Sequence, residues 1–466
     1  FNRLPPEPAL PGFYDPGHHT LIVADLNSAF DDAELIEWFD SWRHEGLLFL
    51  SSVSQLKWCE LDGSIKSERS LDFSSWKDTG YELQHPGIRK LQYRYAKSKE
   101  DDWTVWRASV AVPEHLHPAH KTRSEETDIS IAISSQPVNS GIFIGFRTDI
   151  PSTLPFSLDA QFDPSTSRES IIENDWNRWL IDRTAEVVGN IAAGMLITSP
   201  KTAWNLIPLS IEGVDPGRSS ILNKRFLAAL KTTRTWLSQH ALIQLPLGNY
   251  PFSDLSYEED ILTGFLTEED VELIHKGLHA LHRSTRDSQD RWRSVMDELN
   301  VSRLVDTGEL LDAMENRIFN FKPAAWWVNA GACLVENHEN TELFERPFLL
   351  SHLNEPVSCK PKAQTSIPLV LNSPSDFSLH WGLMERLHSD YADKSTGEPV
   401  IAWLDNHAAF VSQTDTAIEL NAFAEKFEKS SIEISEDELR LLRDKFDYLR
   451  DTEAKVIGTK IGTILK

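Results

Sequence analysis

GIFIGFRTDIPSTLPFSLDAQFDPSTSRESIIENDWNRWLIDR, residues 141 to 183, carries a strand pattern, a polar loop and a helix pattern in one continuous run. Ile142 to Phe146 is a short apolar run; Pro151 and Pro155 interrupt the chain, and Phe156 to Phe162 alternates as a second strand. The polar loop Asp163 to Ser167 leads to one basic residue, Arg168. Beyond it Ile171, Ile172, Trp176, Trp179, Leu180, Thr184, Val187 and Val188 recur at helical spacing, which predicts a helix from about Ser170 to Ala193. Strand, loop, arginine and helix in this order can present a guanidinium to a phosphate. The same arginine serves equally as a loop cap or as an ion-pair partner of Asp163, Glu169 or Glu173.

Upstream, Trp103 to Val112 and Asp128 to Ser134 alternate as half-buried strands, with the charged segment Pro113 to Thr127 as the loop between them. With the two later strands they give a sheet of about four, on which the helix is expected to lie as an α+β layer. Residues 1 to 20 read as an extended arm, Thr20 to Leu26 as a strand, and Asn27 or Ser28 as the cap of a helix through Ala33, Ile36 and Phe39. Leu47 to Phe49 closes that unit. Gln55 to Leu61 and Ile65 to Leu71 read as a hairpin joined by Asp62-Gly63.

The run LPFSLDAQFDPSTSRESII followed by NDWNRWL resembles the segment after the ATP-binding domain in the sacsin and No Vein group of GHKL (heat shock protein 90-like) ATPases. In that class this segment is the middle or transducer domain. The group's strand ends in an aromatic residue, a Ser/Thr/Asp-rich loop and an arginine; Phe162, Ser165 to Ser167 and Arg168 stand in those positions here. The resemblance implies that Arg168, with Ser167 beside it, reaches the γ-phosphate of ATP held with Mg²⁺ by a neighbouring nucleotide domain. A complete GHKL site also needs a Glu and Asn on one helix, an Asp-x-Gly-x-Gly and a Gly-rich lid, none of which occurs in this sequence. The chain begins with Phe1 rather than Met, so the expectation is the end of a nucleotide domain with everything downstream. ATP turnover is expected only with the nucleotide part present, and no cofactor in this chain alone.

From about Trp204 helical patterns dominate: Ser219 to His240, Glu258 to Ile261, Glu268 to Thr285, Arg291 to Leu299, Thr307 to Asn316, a Trp326-Trp327 segment, Glu419 to Lys429 and Glu436 to Asp451. Apolar runs at Leu242 to Leu247 and Ile367 to Leu371 interrupt them and suggest two instances of a strand, loop and helices repeat. The expected division is residues 1 to 75 as a nucleotide-domain remnant, 76 to 210 as the transducer-like α+β domain, and 211 to 466 as a mainly helical region with short strands.

A chain of 466 residues, 40% hydrophobic and 25% charged, exceeds one core and has no apolar window long enough for a membrane span. Its net charge of −25 argues against a generic nucleic-acid surface, which needs many cations against phosphates. Cys59, Cys333 and Cys359 lie in no metal or redox spacing and suit a reducing, cytoplasmic setting. His275, His279 and His282 stand at i, i+4 and i+7 and so share one face of the expected helix, although Gly277 weakens it and a half-exposed face accounts for them without metal. Trp103 with Trp106, Trp176 with Trp179, and Trp326 with Trp327 read as core rather than as a base-stacking platform. Asp149 and Asp159 flank a strand and read as solvated acids rather than a catalytic pair.

The first functional expectation is therefore the transducer and downstream part of a sacsin-like ATPase, chaperone-like or defence-related. Its partners would be the nucleotide-binding domain of the same protein and client proteins, and a homodimer is compatible with it. The alternative is a noncatalytic helical scaffold for protein interaction.

Overall fold

In the computed structural model the described residues are 44–50, 53–59, 65–116, 125–134, 140–166, 170–214, 220–300, 303–338, 340–344, 346–364, 368–371, 381, 383–393, 395–412, 415–427, 435–446, 457–459 and 461. The fold is mixed α and β. It divides into two compact units, Phe1–Ser253 with His282–Ser302, and Asp254–Leu281 with Arg303–Lys466. The sequence borders at 75 and 210 mark changes of residue pattern, and neither coincides with the break in packing.

The first unit is built on one eight-stranded sheet. A hairpin of β1 (Gln55–Cys59) and β2 (Ile65–Ser70) precedes it, as the sequence suggests; the Asp62-Gly63 turn lies outside the described residues. The sheet comprises β3 (Asp72–Phe73), β4 (Lys77–Asp78), β5 (Ile88–Lys97), β6 (Asp102–Ala111), β7 (Glu126–Ser134), β8 (Ile142–Ile144), β9 (Phe146–Arg147) and β10 (Ser157–Ala160). Its order is β3-β5-β6-β7-β10-β8-β9, with β4 also on β5, and every pairing is antiparallel except β10 with β8. The expected sheet of about four strands is thus too small. What the alternation rule misses is β5, where the register shifts between Ile88 and Lys90 and moves Leu91 out of step.

One face of the sheet is apolar through its middle, with Lys97 and Asp102 at one end of it. Tyr93, Trp106, Ile131, Leu158 and Ile142 stand opposite one another across five strands, and α1 (Asp175–Thr198) packs there. This 24-residue helix is buried on most of its circumference because α2 (Ser220–His240) covers its outer side, where Thr233 Oγ1 donates to the Ala185 carbonyl at 2.7 Å. At Gly189 the two helices meet closely: a Cβ would stand 3.2 Å from Thr233 Cγ2.

The opposite face changes character along its strands. At one end Leu47, Leu48 and Leu71 cover Ala96, Trp103, Val105 and Ala132, with Phe73 and Trp76 alongside. Residues 1 to 43, with the strand and helix expected in them, lie outside the described residues. Arg94 is buried in this small core; it donates to the Leu48 carbonyl at 2.9 Å and stacks on the Phe73 and Trp76 rings. Burial, reinforced by Arg107, lowers its pKa to about 10. Further along, the cross-strand row is polar: Gln92, Arg107, Ser130 and Asp159. A hairpin of β11 (Leu242–Leu245) and β12 (Gly248–Pro251) and the helix Arg291–Leu299 complete the unit.

In the second unit the sequence reading needs its main corrections. Of the helical pattern Glu258 to Ile261 only one 3-10 turn, Asp260–Leu262, forms: β13 (Leu255–Glu258) is a strand buried on both faces and flanked in parallel by β14 (His279–Ala280) and β15 (Arg303–Val305). Nor is there a helix through Thr285. α3 (Glu268–Ile274) begins at a capping box between Thr267 and Asp270, and the chain leaves it at His275 and turns through Gly277 with φ +90°. Then follow α4 (Thr307–Glu315), α5 (Ala324–Asn337), the short hairpin β16 (Leu349–Leu350) and β17 (Pro356–Val357), β18 (Leu369–Val370), β19 (Glu385–Arg386), α6 (Glu398–His407), β20 (Phe410–Val411), α7 (Thr416–Phe427) and α8 (Glu436–Phe446). Trp326 and Trp327 sit in the large core of this unit, and Leu420, Phe423 and Leu442 form a smaller one.

Two three-stranded sheets of this unit share one strand order, the first of them beginning one hairpin after the run Leu242 to Leu247. β18 lies between β19 and β20 with all three parallel, as β13 lies between β14 and β15. After the second strand of each set, a histidine caps a short 3-10 turn: His282 accepts from the Ser284 N–H and His388 from the Asp390 N–H. A helix, the third strand and another helix then follow in both copies, Arg291–Leu299, β15 and α4 in one, α6, β20 and α7 in the other.

Candidate functional site: a loop clamped to a helix start

β10 delivers the chain to Asp163, and the loop that follows returns to α1 through a hairpin-like closure. Pro164 bridges Ile171, Ser165 N–H donates to the Ser170 carbonyl at 2.8 Å, and Ile172 N–H donates to the Asp163 carbonyl at 3.0 Å. Two asparagines fasten this closure to the helix. Asn174 is the N-cap, accepting from the Asn177 N–H at 2.8 Å while its Nδ2 donates to Asp163 Oδ2 at 2.8 Å. Asn177, fully buried, accepts from the Asp163 N–H at 2.8 Å and donates to the carbonyls of Asp163 at 2.9 Å and Ile172 at 2.7 Å. Trp176 Nε1 donates to the Gln161 carbonyl at 2.7 Å, closing the base.

Ser167 and Arg168 lie at 167–169, outside the described residues. Sequence reasoning found the strand, the loop and the helix but not their fastening. An Asn three residues past a cap reads as a polar helix position, and only the fold shows that it satisfies three backbone groups.

Asp149 and Asp159 do not form a pair of like character. Asp149 is exposed, whereas Asp159 stands on the sheet face, accepts from the Gly145 N–H at 2.9 Å, and has its pKa raised by burial to about 6. Asp128 on the neighbouring strand adds to that rise, and burial raises Asp128 as well.

The three histidines are separated by the end of α3. His275 Nδ1 meets Ser256 Oγ at 2.6 Å and its Nε2 lies 2.8 Å from Glu309; His279 lies 3.6 Å from Glu272. Sequence reading missed the Ser256, His275 and Glu309 chain, which has the residue types of a hydrolytic triad. Ser256 is 0% exposed, however, so its oxygen offers nothing to a substrate; the chain ties β13 to α3 and α4. Among the described residues no three His, Cys, Asp or Glu side chains are grouped to hold a metal ion. Cys333 and Cys359 are buried, and burial pushes their thiols to about 11 and about 12, which keeps them protonated and unreactive.

Trp103, Trp106, Trp176, Trp326 and Trp327 are each at most 7% exposed, so none of these five offers a face to a base. No helix among the described residues is long and apolar enough to cross a membrane. Compared with known proteins, the chain matches no protein-family profile, no curated protein and no solved structure.

Proposed function

We propose that this chain is the transducer and downstream part of a sacsin-like GHKL ATPase, coupling nucleotide binding in a partner domain to rearrangement of its own units. The observation that supports the reading is the fastening of the loop from Asp163 to Ile172 onto the start of α1. A loop held at both stems can offer a side chain from its tip to a second domain with little loss of order, which is what stabilising a developing phosphate charge requires. In this reading ATP and Mg²⁺ belong to the nucleotide domain, the phosphoryl chemistry is theirs, and Arg168 supplies the guanidinium. Asn174 and Asn177 hold its loop.

The test is to read the frame upstream of the Phe1 codon, express the whole product and measure ATP turnover with and without Arg168→Ala. A Glu and Asn helix and an Asp-x-Gly-x-Gly upstream, with turnover that collapses in the variant, support the proposal. An upstream frame without them, or turnover indifferent to Arg168, leaves the noncatalytic scaffold.

A further inference from the structure

Between β4 and β5 the segment Thr79 to Gly87 runs along α1 as a strap, and its anchors fall one helical turn apart. Tyr81 OH meets Thr198 Oγ1 at 3.2 Å, and its ring fills the space over Gly194, where a Cβ would stand 2.2 Å away. Asn190, 1% exposed, accepts from the Gln84 N–H at 2.9 Å and donates to the Glu82 carbonyl at 3.3 Å. His85 Nδ1 lies 3.9 Å from Glu186, and Arg183, which pairs with Glu186, lies against Gly87. Thr198, Gly194, Asn190, Glu186 and Arg183 form one stripe of α1, and the strap covers it.

At its last anchor the strap meets charge from both helices. The His85 ring lies 4.7 Å from Trp236 of α2, whose other neighbour is the stacked His240 at 5.3 Å. The groups facing His85 are Arg183 and Glu186 of α1, with Asp182 acting on Glu186, and His240 of α2. His85 Nε2, Arg183 Nε and Glu186 Oε2 are all buried without a hydrogen-bond partner. A second proton on the imidazole would have no acceptor at Nε2 and would face the Arg183 guanidinium, while the Glu186 carboxylate 3.9 Å from Nδ1, which would favour that charge, is already paired with Arg183.

The geometry points to an acid-released strap: protonation of His85 detaches the segment Thr79 to Gly87 from α1 and opens the stripe from Arg183 to Thr198. Burial, then Arg183 and His240, hold the pKa of His85 below its ordinary value of 6.5. The seated strap is thus fully favoured above that value and loses ground as pH falls below it. Glu186 acts in the opposite sense, since burial raises its pKa from 4.5 and a proton there relieves the cost of seating the strap.

Hydrogen exchange of the full chain, corrected for the intrinsic pH dependence of exchange, tests this at about pH 7.5 and about pH 5.8. Protection of the Gln84 amide is expected to fall roughly threefold or more at the lower pH. His85→Phe, which keeps the ring on Trp236, and His85→Gln, which keeps a neutral polar group, should both abolish the fall. His240→Phe and Glu186→Gln should preserve it. Equal protection at both pH values in the wild type overturns the proposal, as does a fall that persists in both His85 variants or disappears with Glu186→Gln.

Discussion

Asn177 and Asp163 exchange hydrogen bonds as two strand residues would: the Asp163 N–H donates to Asn177 Oδ1 and Asn177 Nδ2 donates to the Asp163 carbonyl. One side-chain amide in the first turn of α1 thereby takes the place of a neighbouring strand for the loop that leaves the sheet. Its second donation, to Ile172, fixes the other stem.

Replacing that amide exposes its worth. Asn177→Ala removes the acceptor of the Asp163 N–H and the amide shared by the Asp163 and Ile172 carbonyls, of which the Asp163 carbonyl keeps the Ile172 N–H, and should cost about 2–3 kcal/mol of stability. Asn177→Asp should recover little, because it accepts but cannot donate. Urea unfolding measures both, and a loss below about 0.5 kcal/mol would show that the loop does not depend on the clamp.

With a working nucleotide domain, Arg168→Ala should lower turnover far more than ATP affinity, because the guanidinium meets the γ-phosphate mainly as the domains close. Comparable arginines contribute on the order of 10³ in rate. Lysine should rescue poorly, since it lacks the planar fork. Arg225, engaged by Asp182 on the helix surface, is the control and its alanine variant should retain turnover. Equal damage at both arginines would assign Arg168 to the fold.

Lys322 is expected to matter more than any surface cation. Its Nζ lies 2.5 Å from Asp270 Oδ1, and Asp270 is 0% exposed and already spends its other oxygen on the Thr267 N–H of the α3 capping box. Removing the ammonium strands a buried carboxylate, so Lys322→Ala should cost about 3 kcal/mol. Arg346→Ala, which breaks contacts with the exposed Asp312 and Glu315, should cost under about 1 kcal/mol. Chemical denaturation of the two variants side by side decides the point.

Asp159 gives a pH signature. Its pKa is about 6 in the folded chain against an ordinary 3.8, so the native state benefits from the proton at low pH and loses that benefit as pH rises from about 4 through 6. Asp159→Asn keeps an acceptor for the Gly145 N–H and removes the charge. It should stabilise the protein by about 1–2 kcal/mol at pH 7.5 and by nearly nothing at pH 4, allowing for the side chain's partial exposure. A stability difference that does not change with pH would place the effect in packing instead.

Elements whose pattern runs unbroken were legible in the sequence. Helix α1 and strands β6 and β7 stand where the apolar spacing of the chain places them, although packing on both sides buries Ile129 to Ile133 of β7 without alternation and most of the circumference of α1. The hairpin β1 with β2 and the helices α4, capped by Asp306, and Arg291–Leu299, closed by Asn300 in the left-handed conformation, are of the same kind. Tertiary structure decided the rest for stated reasons. A bulge puts β5 out of step, Gly277 ends α3 where the apolar spacing continues, and the two- to four-residue parallel strands from β13 onward are too short to show a period. The loop clamp and the strap are decided there as well: Asn177 joins residues 14 positions away and Asn190 joins Gln84 across 106, and a polar residue on a helix carries no local sign of which distant backbone it satisfies.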